Sequence, residues 1–290
     1  MTISLPATWV KKYSLQEGDE LTIDETGNTI QLSTGKASSK RNIEIDATQM
    51  GNFTKNDLSH LYILGFDEII IRYNNDSVIK SIKERVPDCI GYEIIDQTEK
   101  SVTIKSISSE LEEEFDNILR KVFLIMKEMA EGIYQSLKEK NFSRLKQIQE
   151  LETINNKFTS FLLRLISKKG YKRQDRSLQA YDLIQNLERL ADEYRYICED
   201  YVNANNKKEI SSEALSLLKE INNYFITFYE LFYKYDSVKK DIINKQKNEL
   251  SNKAKELFKR NKDIILCHHL ISLVEKIRNT SGSYLAMNVE

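Results

Sequence analysis

Charged side chains recur at helical spacing in one segment of the chain, at Glu188, Asp192, Arg195 and Glu199. Because residues three and four apart share one face of an α-helix, Glu188 and Asp192 would be neighbours there. Two carboxylates at this spacing repel each other by roughly 0.2–0.5 kcal/mol unless a cation lies between them. A hard divalent metal ion would supply that charge. A solvated acidic edge is the alternative interpretation, and the spacing alone leaves both open.

A second set of candidate ligands lies near the C-terminus. Glu275 and Asn279 repeat the four-residue spacing, with an amide in place of the second acid. An amide oxygen can ligate a metal ion but brings no charge, so we expect this second site to be weak or empty. His268 could add a ligand, although a single histidine in a helix is more often a structural residue. His269 is a weaker candidate than His268.

Motifs of the common enzyme classes are absent from the sequence. A di-iron site in a helical bundle needs Glu-x-x-His on two helices, and this spacing does not occur. The sequence also lacks a glycine-rich phosphate loop, a His/Cys zinc cluster and a Gly-x-Ser-x-Gly turn. We therefore predict that the protein is not an enzyme.

The charge balance limits the role in nucleic-acid binding. The 290 residues carry 43 basic and 44 acidic side chains, a formal net charge of −1. A non-specific DNA binder is usually more basic, because phosphate neutralisation supplies most of its affinity. Any DNA role must therefore depend on a local patch.

The remaining composition predicts a cytoplasmic protein. No run approaches the roughly 18 apolar residues that span a bilayer, and no signal-peptide pattern opens the sequence. Cys89, Cys198 and Cys267 are far apart and form no Cys-x-x-Cys pair, so we expect free thiols in a reducing compartment.

Glycine and proline divide the chain into a mixed N-terminal third and a helical remainder. Both prolines and six of the nine glycines lie in the first 91 residues. Breakers concentrate where turns are frequent and are rare in long helices. We expect a mostly α-helical protein with three domains: a hairpin head at 1–36, a small α/β domain at 42–107 and a helical domain at 109–290.

Local patterns predict the elements of each domain. Residues 1–34 are typical of a strand, a short helix after Pro6 and a hairpin, with too little apolar area to fold alone. This head should pair with a second copy or with the next domain. The pattern of 42–107 predicts β-α-β-α-β, with the last strand interrupted near residues 99–100. Apolar residues three and four apart then predict six antiparallel helices.

Two motifs in the helical region resemble the PhoU family. LERLAD at 187–192, followed by YICE at 196–199, is similar to the E-R-[IL]-x-D signature of that family. VEKIRN at 274–279 lies where the second copy belongs, and ETINNKFTSFLLR at 152–164 resembles the second helix of archaeal members. The resemblance implies two three-helix halves with the acidic motif on the third helix of each.

The head resembles another family. ISLPATWVKKYSLQEGDELTI at 3–23 is similar to the AbrB-like swapped-hairpin heads of archaeal regulators. Such heads usually begin with a further strand and a basic loop, so either the start is truncated or the DNA role is weakened. Lys11 and Lys12 are the remaining candidates for DNA-phosphate contacts, and solvated helix lysines are the alternative interpretation.

Together the resemblances imply a cytoplasmic homodimer that regulates phosphate uptake. They imply metal ligands at Glu188 and Asp192, a weaker site at Glu275 and Asn279, and Fe, Zn, Mn or Mg as the metal ion. We expect a DNA-binding transcriptional regulator whose bundle senses metal, phosphate or a transporter partner. The alternatives are a metal-binding adaptor that controls a phosphate transporter or kinase without DNA, and a purely structural helical protein.

Overall fold

The computed structural model describes residues 3–26, 28–34, 40–50, 52–107, 114–203, 210–260 and 263–288. The chain divides into two compact units, Met1–Asn42 and Ile43–Glu290. Within the described ranges, the predicted fold class is confirmed: a mostly helical chain with a small hairpin head, an α/β unit and a six-helix bundle.

The first unit consists of helix α1 (Ala7–Lys12) and an antiparallel hairpin of β1 (Leu21–Thr26) and β2 (Thr29–Thr34). Pro6 precedes α1 with φ at −59°, which suits the start of a helix. The strand predicted before Pro6 is wrong for residues 3–5, and Thr2 lies outside the described residues. A strand needs a hydrogen-bonded neighbour, and the described part of this unit offers residues 3–5 none.

This first unit buries little apolar surface. None of its described residues is fully buried, and Ile3, Ile23 and Ile30 are 66%, 63% and 54% exposed. Large apolar side chains rarely stay this open in a small unit that has a core of its own. The weak core agrees with the expectation that the head pairs with another surface.

The second unit opens with a four-stranded sheet in the order β3-β4-β6-β5. Strands β4 and β5 pair antiparallel with β6, and the β5–β6 hairpin turns where the sequence predicts the interruption. Ile69, Ile71, Val102 and Ile104 point from β4 and β6 into the core. The bounds of these elements are β3 (Asn42–Asp46), α2 (Lys55–Ile63), β4 (Glu68–Arg72), α3 (Asp76–Arg85), β5 (Tyr92–Gln97) and β6 (Ser101–Ser106).

Six long helices follow the sheet and form two three-helix halves. Helices α4, α5 and α6 pack on one another, as do α7, α8 and α9, and the halves meet along α6–α9 and α4–α7. An apolar stripe along α6 is buried, including Leu183, Leu187 and Leu190. The helices are α4 (Phe115–Lys138), α5 (Phe142–Lys169), α6 (Ser177–Asn203), α7 (Ser212–Tyr233), α8 (Ser237–Lys259) and α9 (Ile264–Met287).

Local chemistry sets the ends of these helices. The Asp236 side chain accepts from the backbone N–H groups of Val238 and Lys239 and so caps α8. Gly170 ends α5 with φ at +77°, a conformation that residues with a Cβ rarely adopt.

A buried arginine joins the bundle to the sheet side of the same unit. Arg164 of α5 lies between the rings of Tyr62 and Tyr92, 5.0 and 4.8 Å from their centroids. Its Nη1 donates to the Tyr62 carbonyl at 2.9 Å and to the Tyr92 hydroxyl at 3.1 Å, and its Nη2 lies 3.4 Å from Asp67 Oδ1. These contacts fix α2 and the sheet against α5.

The three cysteines lie in the protein interior. Cys89 and Cys198 are buried free thiols, as predicted, and Cys267 is buried as well. Burial raises the pKa of the Cys89 thiol to about 11 and that of Cys198 to about 12, which keeps both protonated and unreactive.

Among the described helices, none combines the length and the apolar character needed to cross a membrane.

Candidate functional site

The charged residues predicted on one helix face meet a fifth residue from the neighbouring helix. We call Glu152 of α5 together with Glu188, Asp192, Arg195 and Glu199 of α6 the acidic cluster. Arg195 Nη2 donates to Asp192 Oδ1 at 3.2 Å, and its Nε lies 3.6 Å from Glu152 Oε1. Arg195 also pairs with Glu199. The guanidinium thus supplies part of the positive charge that these carboxylates need.

Two carboxyl groups of the acidic cluster have a raised pKa. Burial raises the pKa of Glu188 to about 7, and the charge of Asp192 adds to the rise. Burial also raises the pKa of Glu152 to about 7; Arg195 opposes this shift, while Asp192 and Glu188 reinforce it. Glu152 is only 5% exposed. The acidic cluster therefore holds more carboxylates than Arg195 neutralises, and a proton or a second cation would relieve the repulsion.

Two asparagines of α5, Asn155 and Asn156, lie close to Glu152 in the helix. Asn156 Nδ2 donates to Glu152. Asn155 is fully buried, and neither its amide oxygen nor its amide nitrogen has a hydrogen-bond partner within the described ranges. An unsatisfied buried polar group costs about 1–3 kcal/mol. Asn155 lies three residues after Glu152, so it shares that face of the helix.

The donors of the acidic cluster suit a hard cation in chemistry but do not form a closed metal shell. Among the described residues, no group of three or more His, Cys, Asp or Glu side chains is arranged to hold a metal ion. Glu188 and Asp192 offer only oxygen atoms, which suit Mg²⁺ or Mn²⁺ better than Zn²⁺. Mg²⁺ commonly keeps several waters and uses one or two protein carboxylates. The residues therefore fit a partly hydrated ion.

Solvent reaches Glu188 through a cleft within the second unit. The cleft has a volume of about 720 Å³ and lies between α2, α3 and the α5–α6 pair. Helices α2 and α3 contribute the basic side chains of Lys55 and Arg85 to the lining of this cleft. Helices α5 and α6 contribute Asn156 and Glu188. The residues that bring charge or titratable groups are Lys55, His60, Arg85, Asp88 and Glu188.

The second predicted set is not built into a comparable cluster. Glu275 and Asn279 are exposed on α9. Within the described part of the chain, neither side chain forms a hydrogen bond or ion pair with the acidic cluster. Asn279 instead lines a separate cleft between α6, α8 and α9.

A buried ionic contact that the sequence does not predict joins α6 to α9. His269 Nδ1 lies 2.7 Å from Glu193 Oε1, and His269 Nε2 lies 2.9 Å from Asp200 Oδ2. Ser272 donates to Glu193 Oε2 at 2.6 Å, and Lys276 Nζ lies 3.1 Å from the same oxygen. We call these five residues the His269 clasp.

His268, the stronger of the two sequence candidates for a metal ligand, is exposed, whereas His269 is 6% exposed and lies in the clasp. The sequence carries one signal for Glu193, the partner of His269. Glu193 lies three residues after Leu190 and four before Ile197, so it borders the buried stripe.

The clasp shifts the pKa of both central groups. Burial would raise the pKa of Glu193, but hydrogen bonds from His269, Ser272 and Lys276 lower it to about 2. Burial would lower the pKa of His269, but its contacts with Glu193 and Asp200 raise it. An imidazolium that donates from both ring nitrogens satisfies both carboxylates. The two halves of the bundle are therefore joined by a buried charged group.

The candidate DNA contacts lie at the end of a short helix. Lys11 and Lys12 are exposed on the last turn of α1, and Lys12 Nζ lies 5.3 Å from the centre of the Tyr13 ring. Lysines at a helix C-terminus also interact favourably with the helix dipole. Their position is compatible with phosphate contacts and with a purely local role.

Comparisons with known proteins concern the head and the bundle separately. Residues 2–40 match the family described as "Antidote-toxin recognition MazE, bacterial antitoxin". A comparison with curated proteins finds no match. A solved structure, the phosphate transport system regulatory protein PhoU from Streptococcus pneumoniae, is similar at 13% identity and a TM-score of 0.45 over 61% of this chain and 90% of that one. The predicted AbrB-like head is thus confirmed as a MazE/AbrB-like segment, and the PhoU comparison is a likeness of structure alone.

Proposed function

We propose that this protein regulates phosphate uptake by binding DNA through its head, with the helical bundle as the sensing part. The observation that carries the proposal is the combination of parts in one chain. A MazE/AbrB-like segment at residues 2–40 precedes two three-helix halves. The PhoU-like LERLAD motif lies on the third helix of the first half, and VEKIRN lies on the third helix of the second.

The head acts as a dimer in this proposal. Ile3, Ile23 and Ile30 are largely exposed in a single copy, so a second copy of the hairpin would cover apolar surface that one copy leaves open. A two-fold dimer would also present Lys11 and Lys12 twice. Two-fold symmetric proteins read two half-sites on DNA, which raises affinity and sets the spacing of the target.

Metal binding at the acidic cluster is a further part of the proposal. A partly hydrated divalent cation would be held by Glu188 and Asp192, with Glu152 behind them. The raised pKa of Glu188 supports it, because an added cation would relieve the repulsion that causes part of the shift. Glu275 and Asn279 would form at most a weak second site, since they are exposed and carry one charge between them.

A second candidate function is a metal-binding adaptor that controls a phosphate transporter or an associated kinase without DNA. The charge of the head favours it. Residues 1–42 contain five basic and five acidic side chains, so the head lacks the positive charge that drives DNA affinity.

One experiment separates the two functions. The full chain is incubated with sheared genomic DNA of its source organism at low salt, and the retained fragments are sequenced. Enrichment of regions upstream of phosphate-transport genes supports the regulator. No enrichment over input rejects the DNA-binding role. A pull-down with the full chain from a lysate of the same organism that recovers a transporter ATPase subunit then supports the adaptor.

A further inference from the structure

A cleft of about 760 Å³ opens between α6, α8 and α9, separate from the acidic cluster. This volume is in the range of small-molecule sites. Each of the three helices contributes one cation to the lining: Arg189 from α6, Lys247 from α8 and Arg278 from α9. Arg189 directly follows Glu188, so neighbouring residues of one helix line two different clefts.

Within the described residues, none of the three cations of this cleft forms an ion pair with a carboxylate. Arg189 acts on its chain neighbour Glu188 only through its charge, which opposes the rise in the pKa of that carboxyl. Other cations of the same bundle are paired: Arg195 with Asp192 at 3.2 Å and Lys253 with Glu220 at 2.9 Å. In a chain whose net charge is −1, three cations and one acid, Asp182, in the lining of one cleft form a local excess of positive charge.

The acid among the described lining residues is already engaged. Asp182 accepts hydrogen bonds from Ser283 and, at 3.1 Å, from Asn186 Nδ2. Both donors are buried, each 8% exposed. Asp182 is therefore held by neutral donors at one side of the cleft and forms no ion pair with the three cations within the described ranges.

Asn186 also orients one of the cations. Its Nδ2 donates to Ser283 Oγ at 3.2 Å, and its Oδ1 accepts from Arg189 Nη1 at 3.4 Å. A buried side-chain amide whose nitrogen donates and whose oxygen accepts hydrogen bonds is held in one orientation. The Arg189 guanidinium is thus tethered at one nitrogen, which leaves other N–H groups for a ligand.

We infer that this cleft binds a phosphoryl group, either as inorganic phosphate or as part of a nucleotide. Guanidinium groups match the oxygens of a phosphate in a two-pronged geometry, and lysine adds a point charge. Asn244 and Asn279 in the lining add neutral donors. Leu178, 82% exposed at the cleft, provides apolar surface beside the cations, which suits a base. This inference does not depend on DNA binding by the head.

Isothermal titration calorimetry of the full chain tests the inference. Potassium phosphate, AMP and ATP are the separate titrants, in a chloride buffer. We expect saturable binding of at least one of them at about one site per chain. Binding of phosphate alone identifies the free anion as the ligand. Tighter binding of a nucleotide than of phosphate shows that the apolar surface contributes. If none of the three binds at concentrations up to ~10 mM, the inference is wrong.

Substitutions locate the binding. Arg189→Gln and Arg278→Gln each remove one cation from an exposed side chain, and each should weaken binding about tenfold. Lys245→Gln is the control, because Lys245 is an exposed lysine of α8 outside the cleft lining. Equal weakening by Lys245→Gln would indicate a general charge effect and overturn the site, as would unchanged affinity in both arginine variants.

Hydrogen exchange of the unmodified chain gives a second measurement that does not depend on the folding of a variant. Adding the titrant that binds should slow exchange in peptides of α6, α8 and α9 that line the cleft, around residues 178–189, 243–247 and 278–286. Protection confined to other segments would contradict the inference.

Discussion

His269 Nδ1 of α9 lies 2.7 Å from Glu193 Oε1 of α6, and both side chains are buried where the two halves of the bundle meet. An imidazolium at this position is paired with Glu193 on one side and Asp200 on the other. Removing one partner of a buried ion pair leaves the other charge uncompensated, which is usually more costly than the pair itself is stabilising.

The first prediction concerns this contact. His269→Ala should lower the free energy of unfolding by roughly 1.5–3 kcal/mol, because Glu193 loses its hydrogen bond with His269 and keeps only Ser272 and Lys276 as partners. His268→Ala is the matched control: His268 is the exposed neighbour, and its loss should change stability by less than about 0.5 kcal/mol. Urea unfolding followed by circular dichroism measures both. Equal effects of the two substitutions would contradict the role of the clasp.

The clasp also predicts a pH dependence. The pKa of His269 is raised in the folded state, so its contribution is complete below the unfolded value of about 6.5 and is lost as pH rises through the folded value. The pKa of Glu193 is lowered to about 2, so its contribution holds above about 4.5 and is lost as pH falls towards 2. As pH rises above 6.5, the free energy of unfolding of the wild type should therefore fall more steeply than that of the His269→Ala variant. Parallel curves would rule out the charged imidazole.

A second prediction concerns Glu188 in the acidic cluster. Its pKa of about 7 lies above the unfolded value, so between about pH 4.5 and 7 the folded state holds more protons and stability falls as pH rises. Glu188→Gln removes this cost and should stabilise the protein at pH 8 by on the order of 2 kcal/mol, with little effect at pH 4.5. Glu275→Gln, an exposed acid of α9, is the control and should be neutral. The prediction fails if Glu188→Gln destabilises the protein at pH 8.

A third prediction tests the proposed cation. About 10 mM MgCl₂ should raise the melting temperature of the wild type at pH 8 by a few degrees, because a ligand that binds only the folded state stabilises it. The double variant Glu188→Gln, Asp192→Asn should not respond. An equal response of wild type and variant, or of wild type to a matched ionic strength of NaCl, would mean that the effect is not site binding.

A fourth prediction concerns the head. The full chain should be a dimer by light scattering, and Ile23→Asp with Ile30→Asp should make it a monomer, because charges would then lie in the interface. Ile95→Asp is the control, since Ile95 is 50% exposed on β5 of the other unit. A monomeric wild type, or a dimer that survives the double substitution, would remove the proposed head-to-head pairing.

The helices could be predicted from the sequence because their signals are local. The buried stripe at Leu183, Leu187 and Leu190 repeats at helical spacing, and Gly170 lies at a helix end. Glu188 and Asp192 share a face for the same reason. Each of these depends only on residues close together in the chain.

The partners from other helices could not be predicted, because they depend on how helices pack. Glu152 joins Asp192 and Arg195 only because α5 packs on α6. Similarly, His269 finds Glu193, 76 residues away in sequence, only because α9 lies along α6. The strand expected before Pro6 was a local prediction that failed, since a strand needs a neighbour as well as a propensity.

The proposed function depends most on specific DNA recognition by the MazE/AbrB-like head. Fluorescence anisotropy with a labelled fragment from upstream of a phosphate-transport operon of the source organism, and with a scrambled fragment of equal length, measures it directly. At low salt we expect the full chain to bind the native fragment at least about a hundredfold more tightly than the scrambled one. Lys11→Gln with Lys12→Gln should weaken both affinities, whereas Lys245→Gln with Lys255→Gln should change neither. Equal affinity of the wild type for the two fragments, or no binding to either, would contradict the proposed function.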